Sequence, residues 1–294
     1  MDVAADKDLP LQQNRLTASA GNGSDSMIAL ICTLEPQRIS WLPQFVQHYR
    51  TVGVERFLLT LQLEPAAAQQ ARDRDYERFL AVLSSLGIGE GIRWESEWNG
   101  RAAMGHERTV VRQYLGKEDW ILWCDSDELQ VYPTSLPEMV QRCEEHDVDF
   151  LRGALVDHVA ADYSLAAFDA QSSIWDTFPN AFNVTMALAH GDPRKVVLAR
   201  ESVRLSAGKH EPIGTQDLKT IVGWVQVHHF KWEATLLDRL RSRVRPEWRA
   251  QFPWWEESQR LLDYFAANNS RFNPRHLTPI ALTGRELISA RLTG

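Results

Sequence analysis

The stretch DWILWCDSDELQVYP, residues 119–133, joins a hydrophobic run to a cluster of acidic side chains. The run ends at Cys124 and has the length of a buried strand, and Asp125, Asp127 and Glu128 follow it directly. Asp and Ser favour turns, because their side chains bond to nearby backbone groups. Carboxylates this close together also repel one another unless a cation neutralises them. The pattern therefore fits either a turn or a site for Mg²⁺ or Mn²⁺, which prefer oxygen ligands.

Segments typical of strands and helices alternate around this stretch. Apolar or alternating patterns predict strands at residues 27–34, 54–61, 91–98, 119–124 and 148–158. Helical spacing predicts helices at residues 40–53, 65–87, 104–116 and 135–146, and Ser135 and Glu138 form a capping box at the start of the last one. This order predicts an α/β fold with a mostly parallel sheet and flanking helices. Ligands bind such sheets beyond the carboxyl ends of the strands, where DSDE is placed.

The regular alternation ends after residue 158. Short strands are predicted at KVVLAR (195–200), SVRLSAGKHEP (202–212) and GWVQVHHFKW (223–232). Helices are predicted at EATLLDRLRSRV (233–244) and PWWEESQRLLDYFAANN (253–269). The chain is therefore predicted to have a polar, disordered tail (1–26), an α/β domain (27–232) and a helical C-terminal extension packed on it (233–294).

Composition limits the classes of function. The 294 residues are 44% hydrophobic and 24% charged, which is ordinary for a folded globular protein. A net charge of −7 argues against general binding of nucleic acids, which requires a basic face. The three cysteines lack the spacing of a disulfide framework or a zinc site. Because no disulfide framework or zinc site is implied, we expect a reducing cytoplasm. The first 26 residues lack the apolar region of a signal peptide.

Four segments carry the resemblance of this chain to a known family, and they occur in the same order as in that family. They are ICTLEPQRISWLPQFVQHYRTVGVERFLL, HERTVVRQYLGKEDWILWCDSDELQVYP, KVVLARESVRLSAGKHEP and VQVHHFKW. Together they resemble a family-2-like branch of glycosyltransferases with the GT-A (Rossmann-like) fold, over residues 27–240. Two loops depart from that branch. Thr33, Leu34 and Glu35 replace its usual Arg-Asn-Glu, and Asp157 and His158 stand where it often has a Trp and a Phe-Gly.

The resemblance implies transfer of a sugar from a nucleoside diphosphate sugar to a glycan or another small hydroxyl acceptor, assisted by Mn²⁺ or Mg²⁺. By this resemblance Asp127 would bind the metal directly, and Asp125 would bind it through water or contact the ribose. Glu128 would orient the carboxylate of Asp125 or of Asp127, or would be a solvent-facing turn residue. A later histidine completes the metal site in many GT-A enzymes. His228 and His229 point to opposite faces of an alternating strand, and the resemblance favours His229 as the metal ligand.

Other residues are candidates for contacts with phosphates. Lys195 and Lys231 can each bind a phosphate as a point charge or be ordinary surface lysines. His210 follows Gly208, which allows close approach of the backbone, and histidine is suited to proton transfer near neutral pH. We expect His210 to contact the acceptor or the phosphates.

An inverting transferase also needs a carboxylate base near the acceptor hydroxyl. Asp157, at the end of the fifth predicted strand, is the preferred candidate, with Glu211 and Asp217 as alternatives. A mechanism that retains the configuration of the sugar stays open.

Two other functions fit part of the pattern. A Mg²⁺-dependent phosphohydrolase or phosphotransferase could use DSD, although aspartyl-phosphate phosphatases have this motif after their first strand rather than the fourth. A catalytically inactive nucleotide-sugar-binding protein would account for the altered TLEPQ loop. The basic, aromatic stretch RLRSRVRPEWR (239–249) can either cap the domain or contact the inner face of a membrane.

Overall fold

The computed structural model describes residues 27–214, 218–249 and 255–280. The predicted tail (1–26), the alternative base Asp217 and the last fourteen residues of the predicted extension (281–294) lie outside these ranges.

The first half of the chain alternates strands and helices. The elements are β1 (Ile28–Leu34), α1 (Leu42–Thr51), β2 (Arg56–Leu63), α2 (Gln69–Ser85), β3 (Ile92–Glu95), α3 (Gly100–Tyr114) and β4 (Trp120–Trp123). A 3₁₀ helix, Pro36–Trp41, precedes α1. The four strands pair in parallel in the order β3-β2-β1-β4, which brings the carboxyl ends of β1 and β4 side by side.

The second half adds shorter strands and the C-terminal helices. They are β5 (Glu128–Val131), α4 (Leu136–Glu145), β6 (Phe150–Val159), α5 (Ile174–Thr177), β7 (Asn180–Phe182), β8 (Arg194–Arg200), β9 (Thr220–His229), α6 (Leu236–Arg243), α7 (Pro246–Arg249) and α8 (Trp255–Ala267). The sheet continues as β4-β8-β6-β9-β5, with β7 on β6. Strand β8 is antiparallel to both neighbours, and β6 and β9 are parallel. The predicted fold class is confirmed as a mixed α/β sheet with flanking helices, consistent with a Rossmann-like GT-A fold.

Three local predictions need correction. Strand β5 begins at Glu128, so the acidic cluster lies between two strands rather than before a helix. Strand β7 was not predicted. SVRLSAGKHEP forms a turn closed by a bridge between Leu205 and Pro212 rather than a strand. Gly208 and Lys209 have φ of 83° and 63°, and such left-handed conformations interrupt an extended strand.

Apolar side chains pack on both faces of the sheet. Trp41, Phe45 and Tyr49 belong to a cluster on the α1 side, whereas Met104 and Val111 of α3 belong to the other. A third cluster joins α6 and α8 to the ends of β6 and β7, with members that include Val159, Phe182, Trp232, Leu236, Leu261 and Phe265. The C-terminal helices therefore cover the edge of the sheet where the acidic cluster lies.

Every helix in the described ranges is too short or too polar to cross a bilayer. Contact with a membrane surface through the C-terminal helices stays a prediction.

Candidate active site

The acidic cluster lies in a cavity of about 400 Å³ at the carboxyl ends of β1 and β4. Helix α3 forms one wall of the cavity, and α6 forms another. The cavity brings together all the predicted site residues except Asp157: Asp125, Asp127, Lys195, His210, His229 and Lys231.

Asp125 is neutralised by two lysines of the chain itself. One carboxylate oxygen accepts a hydrogen bond from Nζ of Lys195, and the other accepts one from Nζ of Lys209 at 2.9 Å. Loss of solvent disfavours the charged carboxylate, but the two ammonium groups outweigh this and hold the pKa of Asp125 well below its usual range. Asp125 is thus ionised and already paired with cations.

The same two lysines also hold buried glutamates. Nζ of Lys195 pairs with Glu128, and Nζ of Lys209 lies 3.2 Å from Glu107. All four side chains are almost fully buried. Burial opposes the charge on Lys209, but Asp125 and Glu107 outweigh it and raise the pKa of this lysine. We call Lys195, Glu128, Asp125, Lys209 and Glu107 the buried ion network.

This network revises two expectations from the sequence. Glu128 is a buried strand residue bound to a lysine, not a residue of an exposed turn. Lys195 is 3% exposed and its charge is matched by two carboxylates, so its geometry does not support the predicted contact with a phosphate.

Asp127 is placed quite differently from Asp125. Its carboxylate accepts no hydrogen bond from any described residue. Its nearest basic nitrogen atoms are Nη2 of Arg38 at 3.6 Å, Nη1 of Arg239 at 3.9 Å and Nε2 of His229 at 4.0 Å. Burial favours the neutral acid, but the positive charges around the carboxylate, those of Arg38 and Arg239 among them, prevail and lower the pKa of Asp127. The carboxylate is therefore ionised, with lone pairs available to a ligand in the cavity.

His229 presents a lone pair to the same space. Its Nδ1 donates to Oδ1 of Asp157 at 2.9 Å, so a neutral His229 carries its proton on Nδ1 and leaves Nε2 free. Asp157 also accepts hydrogen bonds from Nε1 of Trp232 and from Oγ1 and the backbone N–H of Thr185. It is fully buried and does not line the cavity. Its geometry supports the positioning of His229 rather than the predicted contact with an acceptor hydroxyl.

Asp127 and His229 are the candidate ligands for a divalent cation. The 4.0 Å between Oδ1 and Nε2 is about twice a metal–ligand bond of ~2.1 Å, which leaves room for an ion between them. A histidine that binds a metal through one ring nitrogen usually donates the N–H of the other nitrogen to a carboxylate, as His229 donates to Asp157. No group of three His, Cys, Asp or Glu side chains in the described residues could hold a metal. The remaining ligands would therefore come from phosphates and water, as is common for Mg²⁺.

Two arginines beside Asp127 were not predicted. Arg38 comes from the 3₁₀ helix after β1, and Arg239 comes from α6. Both also contact Glu233, at 3.3 Å and 3.2 Å. Arg243, one helical turn after Arg239, lines the cavity as well. The four-residue spacing of Arg239 and Arg243 was the sequence signal that could have indicated a shared face.

His210 lines the cavity next to the turn at Gly208. Its Nδ1 donates to the carbonyl of Arg194 at 2.7 Å, which leaves Nε2 as a proton acceptor. Burial, followed by the charge of Lys195, lowers the pKa of His210. A Cβ atom at Gly208 would lie 3.0 Å from the His210 ring, so a side chain at this position would crowd the ring. Lys231, also at the cavity, has Nζ 3.8 Å from Glu257.

His228 lies on the opposite face of β9 from His229. Its Nδ1 is 2.8 Å from Nε2 of His158, and Nδ1 of His158 donates to the Phe178 carbonyl at 2.8 Å. Burial lowers the pKa of His158 to about 4 and that of His228 to about 3. Both rings are therefore neutral at pH 7 and belong to the core rather than to the cavity.

We expect the free energy of unfolding to fall on acidification from pH 6.5 to pH 5. The two buried rings stay neutral in the folded state over this range, whereas the unfolded chain protonates them near pH 6.5. Each such histidine contributes about 1.4 kcal/mol per pH unit. Urea unfolding at several pH values should show a slope for His228→Gln that is smaller by about this amount. Equal slopes for the two proteins would contradict the buried neutral pair.

Comparisons with family models, curated proteins and solved structures differ in outcome: only the last finds similar chains. No family model and no curated protein match it. A crystal structure of S. aureus TarS 1–349 is similar over 83% of this chain and 74% of that chain, with 9% identity and a TM-score of 0.30. A UDP-glucose pyrophosphorylase complexed with UDP-glucose covers 64% of this chain and 74% of its own, with 9% identity and a TM-score of 0.23. At this level of similarity the function has to be argued from the site.

Proposed function

We propose that this protein is a glycosyltransferase that moves a sugar from a nucleoside diphosphate sugar to a hydroxyl acceptor, with Mg²⁺ or Mn²⁺ held by Asp127 and His229. The observation that carries the proposal is an ionised carboxylate and a histidine lone pair 4.0 Å apart at the carboxyl ends of parallel strands. The ordered motifs of the sequence, which resemble GT-A glycosyltransferases, support this choice of reaction.

Departure of a nucleoside diphosphate concentrates negative charge on its phosphate oxygens. A bound divalent cation would supply Lewis acidity at those oxygens. Arg38 and Arg239 would donate hydrogen bonds to the same phosphates, because their guanidinium groups already lie beside Asp127. Glu233 keeps both guanidinium groups in place in the absence of substrate. Lys231 adds a further positive charge at the cavity wall.

The acceptor side of the reaction needs a group that takes up a proton. His210 has a free Nε2, a lowered pKa and a position in the cavity wall, so we assign this role to it. We assign Asp157 to holding the His229 ring in the tautomer that leaves Nε2 free, because its four hydrogen bonds and complete burial separate it from any acceptor.

The geometry disfavours the phosphohydrolase alternative. An enzyme that forms an aspartyl phosphate needs an aspartate whose oxygen is free to attack phosphorus. Both oxygens of Asp125 are bonded to lysines, and Asp127 faces two arginines and a histidine. Release of a nucleoside diphosphate from a nucleotide sugar would support the proposed transferase. Release of inorganic phosphate would support the hydrolase, and binding without turnover would support an inactive binding protein.

Binding of a nucleoside diphosphate should require a divalent cation. Without the cation the diphosphate would face the negative charge of Asp127 directly, so we expect the dissociation constant to rise about tenfold or more in EDTA. Calorimetry with a panel of nucleoside diphosphates, with Mn²⁺ or with EDTA, measures this. The matched control is the corresponding nucleoside, whose affinity should not depend on the cation. Equal diphosphate affinity under both conditions would rule out the assigned metal site.

A further inference from the structure

A second cavity, of about 310 Å³, lies beside α3 and outside the candidate active site. Its walls are the C-terminal half of α3, Trp123 at the end of β4 and the turn that follows β8. Glu107 of α3 lines the first cavity, whereas Arg108, the next residue, lines the second. The helix therefore separates two pockets that share none of their lining residues.

The second cavity is strongly basic although the protein has a net charge of −7. One of its lining residues is acidic, Glu201, and four are basic: Arg108, Arg112, Lys117 and Arg204. None of these four forms an ion pair within the described residues. Burial, followed by the charges of Arg204 and Arg112, lowers the pKa of Arg108. The cations are thus close enough to repel one another. Nη2 of Arg108 donates to the carbonyl of Leu205 at 2.6 Å, whereas Arg112, Lys117 and Arg204 are exposed.

Trp123 adds a hydrogen-bond donor that has no acceptor. Its side chain lines the cavity and is 2% exposed. Nε1 of its indole ring is buried and has no hydrogen-bond partner among the described residues. Buried polar groups in folded proteins nearly always have a partner, and this unpaired donor belongs to a side chain that lines the basic cavity.

We propose that Arg108, Arg112, Lys117, Trp123 and Arg204 form a phosphate-binding site, here called the α3 anion site. A phosphate dianion offers several strong acceptors at once, which suits the three arginines and the lysine that line one cavity together with Trp123. A dianion also relieves the repulsion between cations more fully than a single carboxylate would. The phosphate can belong to a soluble molecule or to a lipid headgroup, and both sources present the same chemistry.

The test follows the indole N–H resonance of Trp123 by NMR, assigned by its absence in Trp123→Phe. Sodium phosphate is titrated into the full chain at constant ionic strength, with chloride as the balancing anion. We expect a saturable shift of this resonance. In the double variant Arg112→Gln/Arg204→Gln the dissociation constant should rise about tenfold for each arginine removed. Both arginines are exposed, so the fold should not depend on them.

The matched control is Arg239→Gln, which alters the first cavity and should leave the titration of Trp123 unchanged. A Trp123 resonance that does not respond to phosphate would overturn the proposal. So would an equal dissociation constant for the wild type and the double variant. Because the readout belongs to the second cavity, failure here leaves the proposed transferase function standing.

A second experiment identifies the source of the phosphate. Sedimentation with phosphatidylcholine vesicles, with and without phosphatidic acid, measures binding to a phosphate headgroup. Vesicle binding that is lost in Arg112→Gln/Arg204→Gln and competed by free phosphate assigns the site to lipid. A saturable NMR shift without vesicle binding assigns it to a soluble phosphate.

Discussion

Replacing Asp127 by Asn should lower the rate of nucleoside diphosphate release about a hundred- to thousand-fold. Asn keeps the shape of the side chain and one carbonyl oxygen but removes the charge that would hold the cation. The fold should survive, because Arg38 and Arg239 keep Glu233 as a partner. Steady-state rates at several Mn²⁺ concentrations, together with melting temperatures, measure the two effects separately.

Ser126→Ala is the matched control, since Ser126 lines the same cavity next to Asp127. This variant should keep both the rate and the melting temperature of the wild type. If Asp127→Asn also kept the wild-type rate, Asp127 would be a turn residue and the proposed metal site would be wrong.

Replacing Lys209 by Met should reduce the free energy of unfolding by about 3–5 kcal/mol. The change leaves the carboxylates of Glu107 and Asp125 without one of their cations, and Glu107 is 3% exposed. An uncompensated buried charge is costly, because the protein interior solvates it poorly. Urea unfolding at pH 7.5 measures the loss.

Lys219→Met provides the contrast. Lys219 pairs with Asp147, but the two side chains are 60% and 82% exposed, so the loss should be under about 1 kcal/mol. A double variant, Lys209→Met/Glu107→Gln, should recover part of the lost stability, because it also removes the unpaired negative charge of Glu107. Similar losses for Lys209→Met and Lys219→Met would show that burial does not strengthen the network.

Much of the fold could be predicted because its signals are local. Strands β1 and β4 and helices α1 to α4 were found near their true positions from apolar periodicity. The capping box of Ser135 and Glu138 is present. Strand β7 has three residues, too few to show a period, and β5 directly follows the acidic cluster, whose residues are typical of a turn. Their pairing with β9 and β6 depends on distant parts of the chain.

The candidate site was harder to predict, because its charges pair over long distances in sequence. Residue types indicated a cation near DSDE, but the resident cations of Asp125 come from positions 70 and 84 residues further on. Sequence reasoning offered Lys195 as a phosphate ligand or an ordinary surface lysine, and it overlooked Lys209. It also overlooked Arg38. The helix was expected to begin at residue 40, so residue 38 was expected to lie in a loop, and nothing in the sequence indicated that its side chain points inward. The structure shows a 3₁₀ helix there instead.

The buried ion network would separate the stability of the chain from the proposed metal. In many small metalloproteins the ion balances the charges of its ligands, and the apoprotein is unfolded. Here Lys195 and Lys209, which belong to the chain itself, balance the negative charges of Asp125, Glu128 and Glu107. If the proposed metal site is correct, we expect the protein to fold without the metal and to bind it together with the substrate. The metal content of a purified sample would then report how it was prepared rather than whether it is correctly folded.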